Sequence, residues 1–183
     1  MKKVLFLLIV LMSFASISAQ KYVSKDGHIW FLASTPLEEI EAHNHQAASI
    51  LDVSTGDVTF SLLMKSFEFK RALMQEHFNE NYVESDKFPK ATFKGKINDL
   101  PSIDFKKDGV YKVNVTGDLT IHGVTKNFTT PGTIEIKGGQ IIAKSVFIVT
   151  PKEFDIKIPS LVENKIAKEV TVNVDITYNP YTK

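Results

Sequence analysis

A two-residue apolar rhythm constrains this chain more than any other feature. In EVTVNVDITY, Val170, Val172, Val174, Ile176 and Tyr178 alternate with Thr171, Asn173, Asp175 and Thr177. Successive side chains of a strand point to opposite faces, so this segment has one apolar and one polar face. Tyr111, Val113, Val115, Leu119 and Ile121 repeat the rhythm with Gly117 among them, as do Val58, Phe60, Leu62 and Met64, and Ala91, Phe93 and Ile97 with Gly95 between. Turn signals STGD (54–57), KKDG (106–109) and KGGQ (137–140) punctuate the rows. About eight strands result, near 28–34, 38–50, 57–69, 91–98, 110–122, 126–136, 140–150 and 169–179. Short connections make neighbours antiparallel. Each strand needs cover for its apolar face, which a sandwich or a closed barrel supplies. Alternation leaves both open. Closure also removes exposed edges, and eight strands enclose a space that side chains fill or that holds one small ligand.

One segment departs from this period. In FKRALMQEHFNENYV, Leu73 and His77, like Met74 and Phe78, have helical spacing, and the segment's Ala, Leu, Met, Gln and Glu favour helix. One short helix is expected near 70–80. A stretch near 151–168 with Pro151 and Pro159 has no clean period and reads as a loop or a short helical turn. No internal repeat interrupts the single-domain length of 183 residues.

The N-terminus reads as something other than barrel. Lys2 and Lys3 precede the short apolar run VLFLLIVLM and the small residues SFASISA, the layout of a secretory signal peptide cleaved after Ala19. The expected organisation is a signal peptide over 1–19 and one domain over 20–183, placing the mature protein in the periplasm or outside the cell. The apolar run is shorter than the ~20 residues of a membrane span, and no later one is longer. The chain has no cysteine, which excludes disulfides, thiol nucleophiles and thiolate metal sites. Lys plus Arg number 22 against 21 Asp plus Glu, and loss of Lys2 and Lys3 leaves 20. So balanced a surface argues against a nucleic-acid partner.

Few residues suggest chemistry. Glu41, His43 and His45 in EAHNH share a strand face, and His-x-His beside a carboxylate is a zinc pattern. Ile40, Ala42, Ala48 and Ile50 take the opposite face, so the histidines read as solvent-facing, with no third ligand indicated by spacing. No metal or catalytic residue is assigned. His77 reads as hydrogen-bonded to neighbouring backbone or as sitting at a cavity mouth, a structural role being favoured over a functional one, His28 as a turn neighbour, and Trp30, the one tryptophan, as largely buried. Hydrolase and phosphate-loop signatures are absent. In GDLTIHGVTKNF, Leu119 and Ile121 share a face and the phase restarts at Val124. Residues 122–126 therefore read as a hairpin tip with Gly123 supplying the permissive backbone, and His122 as lying off the apolar face.

That hairpin resembles the signature of the YceI-like family, commonly Gly-x-Leu-Thr-Ile-x-Gly-Val-Thr-Lys; Asn127 and Phe128 stand where Pro and an apolar residue often follow. HFNENYVESDKFPKATFKG (77–95) resembles the family's helix-and-strand segment, and the order of the two motifs agrees. The resemblance spans nearly the whole mature chain, within the exported branch. It implies a single all-β, lipocalin-like, closed antiparallel barrel whose apolar tunnel holds a polyisoprenoid or quinone-like lipid, with no enzymatic activity. Many members carry a late Arg-x-Asp-aromatic-Gly motif; TPKEFDIKIPSLVENKI here lacks that arginine and glycine, so head-group contacts made by it do not carry over.

The inward rows supply the expected tunnel lining: Phe31, Phe60, Met64, Phe93, Val113, Val115, Leu119, Ile121, Phe128, Phe147, Val172 and Val174. The expected partner is a lipid; a homodimer is compatible with the sequence. Two other readings stay open: a filled barrel acting as a scaffold or stress protein through a protein partner, and a metal-assisted enzyme built on His43 and His45.

Overall fold

The computed structural model describes residues 21–36, 38–159 and 167–181. The expected signal peptide lies outside these residues. In chain order come β1 (Lys21–Ser34), β2 (Glu39–Asp52), β3 (Asp57–Leu63), β4 (Glu68–Phe69), α1 (Ala72–His77), β5 (Lys90–Ile97), β6 (Gly109–Ile121), β7 (Val124–Lys137), β8 (Gln140–Val149) and β9 (Val170–Pro180). All ladders are antiparallel. The sheet runs β1-β9-β8-β7-β6-β5-β3-β2, and β1 also pairs with β2. Eight strands thus close into a barrel, and the two-residue β4 adds to β2. Closure decides between the two architectures that alternation left open.

The alternating rows land as their period demands. Ile176 and Tyr178 on β9, Ile141 on β8, Ile136 on β7 and Leu51 on β2 have almost no exposed surface. The pairings Ile141↔Tyr178, Lys21↔Asp52 and Gly109↔Ile136 put these residues at one end, which they plug. The opposite end carries the β1–β2 and β6–β7 turns and α1. There the chain expected as one strand over 57–69 breaks into a single 3-10 turn at Met64–Ser66, which redirects it into β4 and α1. α1 is shorter than expected and runs on as a π turn over Phe78–Tyr82.

The register between β1 and β2 corrects one reading. Gly27 pairs with Ala47 and Ile29 with Asn44, so His45 and Gln46 together oppose His28: a β-bulge. The extra residue flips the phase of β2. Beyond it Ala47, Ser49 and Leu51 turn inward, while Ala48 is exposed and Ile50 is 49% exposed. Ala48 and Ile50 therefore do not share the inner face with Ile40 and Ala42. Buried Asn44 holds the bulge, donating through Nδ2 to the Leu63 carbonyl (3.0 Å) and accepting the Gln46 N–H (2.9 Å).

The hairpin tip is also tighter than expected. Only His122 and Gly123 form the turn, both at positive φ (51° and 74°), and β7 starts at Val124. Two left-handed residues match the twist of the flanking strands. His122 is nonetheless sequestered, with 8% of its side chain exposed. Its Nδ1 lies 3.1 Å from the Phe154 carbonyl, its Nε2 2.8 Å from Glu84 Oε2, and Phe88 packs edge-on against the ring. His122 thus ties the hairpin to two loops at the open end. That hydrogen bond also holds the Glu84 carboxyl below the usual carboxylate range.

Candidate functional site

The barrel encloses a cavity of about 520 Å³, within the range of ligand pockets, ~300–1,000 Å³. All twelve residues expected at the tunnel wall line it: Phe31 on β1, Phe60 on β3, Met64 after it, Phe93 on β5, Val113, Val115, Leu119 and Ile121 on β6, Phe128 on β7, Phe147 on β8, and Val172 and Val174 on β9. Phe93, Phe128 and Phe147 form a continuous aromatic row, with Phe93–Phe128 centroids 5.7 Å apart and Phe128–Phe147 5.2 Å.

Two glycines shape this wall. Gly95 and Gly117 face each other across β5 and β6. A Cβ on Gly117 would sit 2.4 Å from both Gly95 Cα and the Lys94 carbonyl oxygen. The bare backbones let the two strands approach closely, and the Phe93 ring lies over both glycines.

Toward the open end, Phe31, Phe67, Phe69 and Phe78 pack together, with centroids between 5.0 and 5.9 Å. Phe78 comes from the end of α1, so the helix roofs the cavity. Leu73, Met74 and His77 also line it, and Leu73 is 61% exposed, so the cavity reaches the surface beside α1. Arg71 ion-pairs with Glu38 at this mouth and lies 3.2 Å from the Met74 sulfur. His77 thus belongs to the cavity rim. The inward row missed Leu73, Met74 and Phe78, although their helical spacing was the available signal; Phe67 and Phe69 required the break after Leu63.

At the plugged end the floor is polar in one place. Tyr178 lines the cavity with its hydroxyl 2.6 Å from Ser49 Oγ. Ser49 donates to the Thr59 carbonyl (2.9 Å), so Tyr178 is the donor to Ser49. Burial pushes the Tyr178 phenol far above its ordinary value. A polar chain satisfied within itself asks nothing of an occupant.

A second grouping lies on the outer wall. His28, predicted to be a mere turn neighbour, sits within β1 and joins His43 and His45 across the bulge, with one ring nitrogen of each within 4.8 Å of the others. Sequence spacing showed no third imidazole because His28 lies fifteen residues before His43 and meets it only through strand pairing. Trp30 faces outward beside them, half-buried rather than largely buried, its ring stacked on His28 at 4.4 Å.

A closed eight-stranded antiparallel barrel around an apolar cavity defines a lipocalin-like binding fold. The YceI-like domain model matches residues 28–178, and the chain belongs to the YceI-like family. Its fold is similar to that of a polyisoprenoid binding domain from Saccharophagus degradans implicated in plant cell wall breakdown (TM-score 0.77, 12% identity, 89% of this chain and 99% of that one). It is also similar to Burkholderia cenocepacia BcnA (0.69, 18%, 82% and 95%) and to the Campylobacter jejuni YCEI protein (0.56, 17%, 75% and 81%). No curated protein matches in sequence.

Proposed function

We propose that this protein binds a long apolar lipid of the isoprenoid or quinone type in the barrel cavity, and carries or sequesters it outside the cytoplasm without chemical change. The carrying observation is the apolar cavity of about 520 Å³ that opens beside α1. Burial of each CH2 stabilises by ~0.8 kcal/mol, so ten methylenes supply roughly 8 kcal/mol before binding costs, the scale of micromolar affinity. Retention of a tail therefore needs no metal or reactive side chain. The polyisoprenoid-binding neighbour favours the same ligand class. The exposed Leu73 and the Arg71–Glu38 pair at the mouth suit an amphiphile whose tail enters first and whose polar end stays at the rim.

Native mass spectrometry of protein recovered from its own host, followed by solvent extraction, tests this. A discrete added mass that extracts as a prenyl chain is the expected result. A bare protein that also refuses added prenyl alcohol and quinone overturns it. The same preparation tests export, since the mature chain should begin at Gln20.

A further inference from the structure

Three imidazoles converge on the outer wall, away from the cavity. We propose that His28, His43 and His45 bind one divalent transition-metal ion of the zinc–copper class, with an open coordination position toward solvent.

The arrangement is built by the fold. The bulge at His45–Gln46 brings His43 and His45 beside His28 on one face, and the buried Asn44 side chain pins it from within. Bulges commonly re-aim side chains in this way. His28 Nε2 lies 3.0 Å from His43 Nδ1. Two imidazole nitrogens on one tetrahedral zinc are roughly 3.4 Å apart, given bonds of ~2.0–2.1 Å. The wider separations in the trio, up to 4.8 Å, need to close by roughly 1.4 Å to reach that value, which rotation of the exposed His45 side chain allows.

The surroundings favour ligation. His43 Nε2 faces Glu41 Oε1 at 3.3 Å. An N–H donated there leaves the Nδ1 lone pair directed at His28. A ligand imidazole whose second nitrogen donates to a carboxylate is a recurrent outer-shell device that fixes tautomer and ring orientation. Glu41 is itself held by Lys70, 3.4 Å from Oε2. Asp175 lies across the ladder from His28 on β9, its carboxylate already paired with Lys144 at 2.8 Å. Imidazole donors suit zinc, copper and nickel over hard cations. Three ligands leave a fourth position for water or an external donor.

Trp30 provides the readout. It is the only tryptophan, stacked on His28 at 4.4 Å, so a bound cupric ion will quench its fluorescence. The experiment titrates chelator-stripped protein with Cu²⁺ alone by fluorescence and with Zn²⁺ alone by calorimetry. Saturable binding at one ion per chain is expected, abolished in His28→Ala and in His43→Ala. Glu41→Gln, which removes no ligand, should weaken affinity about 10–100-fold. Circular dichroism establishes that each variant is folded. Absence of saturable binding, or one-to-one binding unchanged in a folded His28→Ala, His43→Ala double variant, overturns the site. So does an unaltered affinity in every single variant, which would identify an adventitious surface ion only.

Discussion

Tyr178 and Ser49, 129 residues apart, meet through a 2.6 Å hydroxyl–hydroxyl hydrogen bond beneath the cavity. The contact joins the last strand to the second across the closed end. It matters because both groups are almost wholly buried and because Ser49 is already committed as donor to Thr59.

Tyr178→Phe keeps the ring and removes the donor. The expected loss is about 1 kcal/mol, read as a lower urea midpoint at unchanged m. A larger loss with altered m would mean that the plug itself had reorganised.

The same residue gives an alkaline limb. Burial raises the Tyr178 pKa in the folded state. Its contribution is therefore complete below the ordinary tyrosine value and declines as pH rises above about 10, where only the unfolded state releases the proton. In a spectrophotometric titration, one of the five tyrosines should ionise only on unfolding, and Tyr178→Phe should lack that step.

Val115→Asp should abolish retention of a prenyl ligand while preserving the barrel's circular dichroism. Val115 is half-buried on the cavity wall, so the carboxylate has some access to water but meets the apolar tail. Ligand retained at the wild-type level by folded Val115→Asp would place the lipid elsewhere.

Gly117→Ala should destabilise by about 1–3 kcal/mol, the usual range for overpacking. The added methyl meets backbone atoms of β5, which move less readily than a side chain. Equilibrium unfolding measures this; a neutral result would show that β5 and β6 separate without cost.

Glu84 sets an acid limb through His122. The carboxyl's folded-state pKa is depressed, first by its hydrogen bond to His122. Its contribution is thus present above the ordinary carboxylate range and is lost as pH falls through and below it. Glu84→Gln should flatten the stability profile between pH values of about 5 and 2. A profile identical to wild type would mean that the bond does not persist in solution.

Most of the barrel was legible because strands such as β6 and β9 keep strict period two, and their inner residues Val113, Val115, Val172 and Val174 reach the cavity with no irregularity between them. Closure was not legible in the alternation itself and came only from the family resemblance of the β6–β7 hairpin, since it resides in the pairing of β1 with both β2 and β9, a long-range relation that no local pattern carries. Phase failed at Gln46, where an inserted residue turned Ile50 outward; without the partner strand, a bulge looks like ordinary sequence. His28 stayed hidden for the same reason. The roof of the cavity was half visible: Leu73 and Phe78 had helical spacing, but only the 3-10 turn at Met64–Ser66 brings α1 over the opening.

The ring has a temporal consequence. β1 holds β2 along one edge and β9 along the other, so nothing is closed until residues 170–180 have been made. A nascent chain can assemble the seven barrel strands before β9 as an open sheet, with bare hydrogen-bonding edges on β1 and β8. Such edges recruit neighbouring chains, and the final pairing spans almost the entire polypeptide, which makes it slow. The interval between completion of β8 and arrival of β9 is when this protein's strand edges are most open to pairing with another chain.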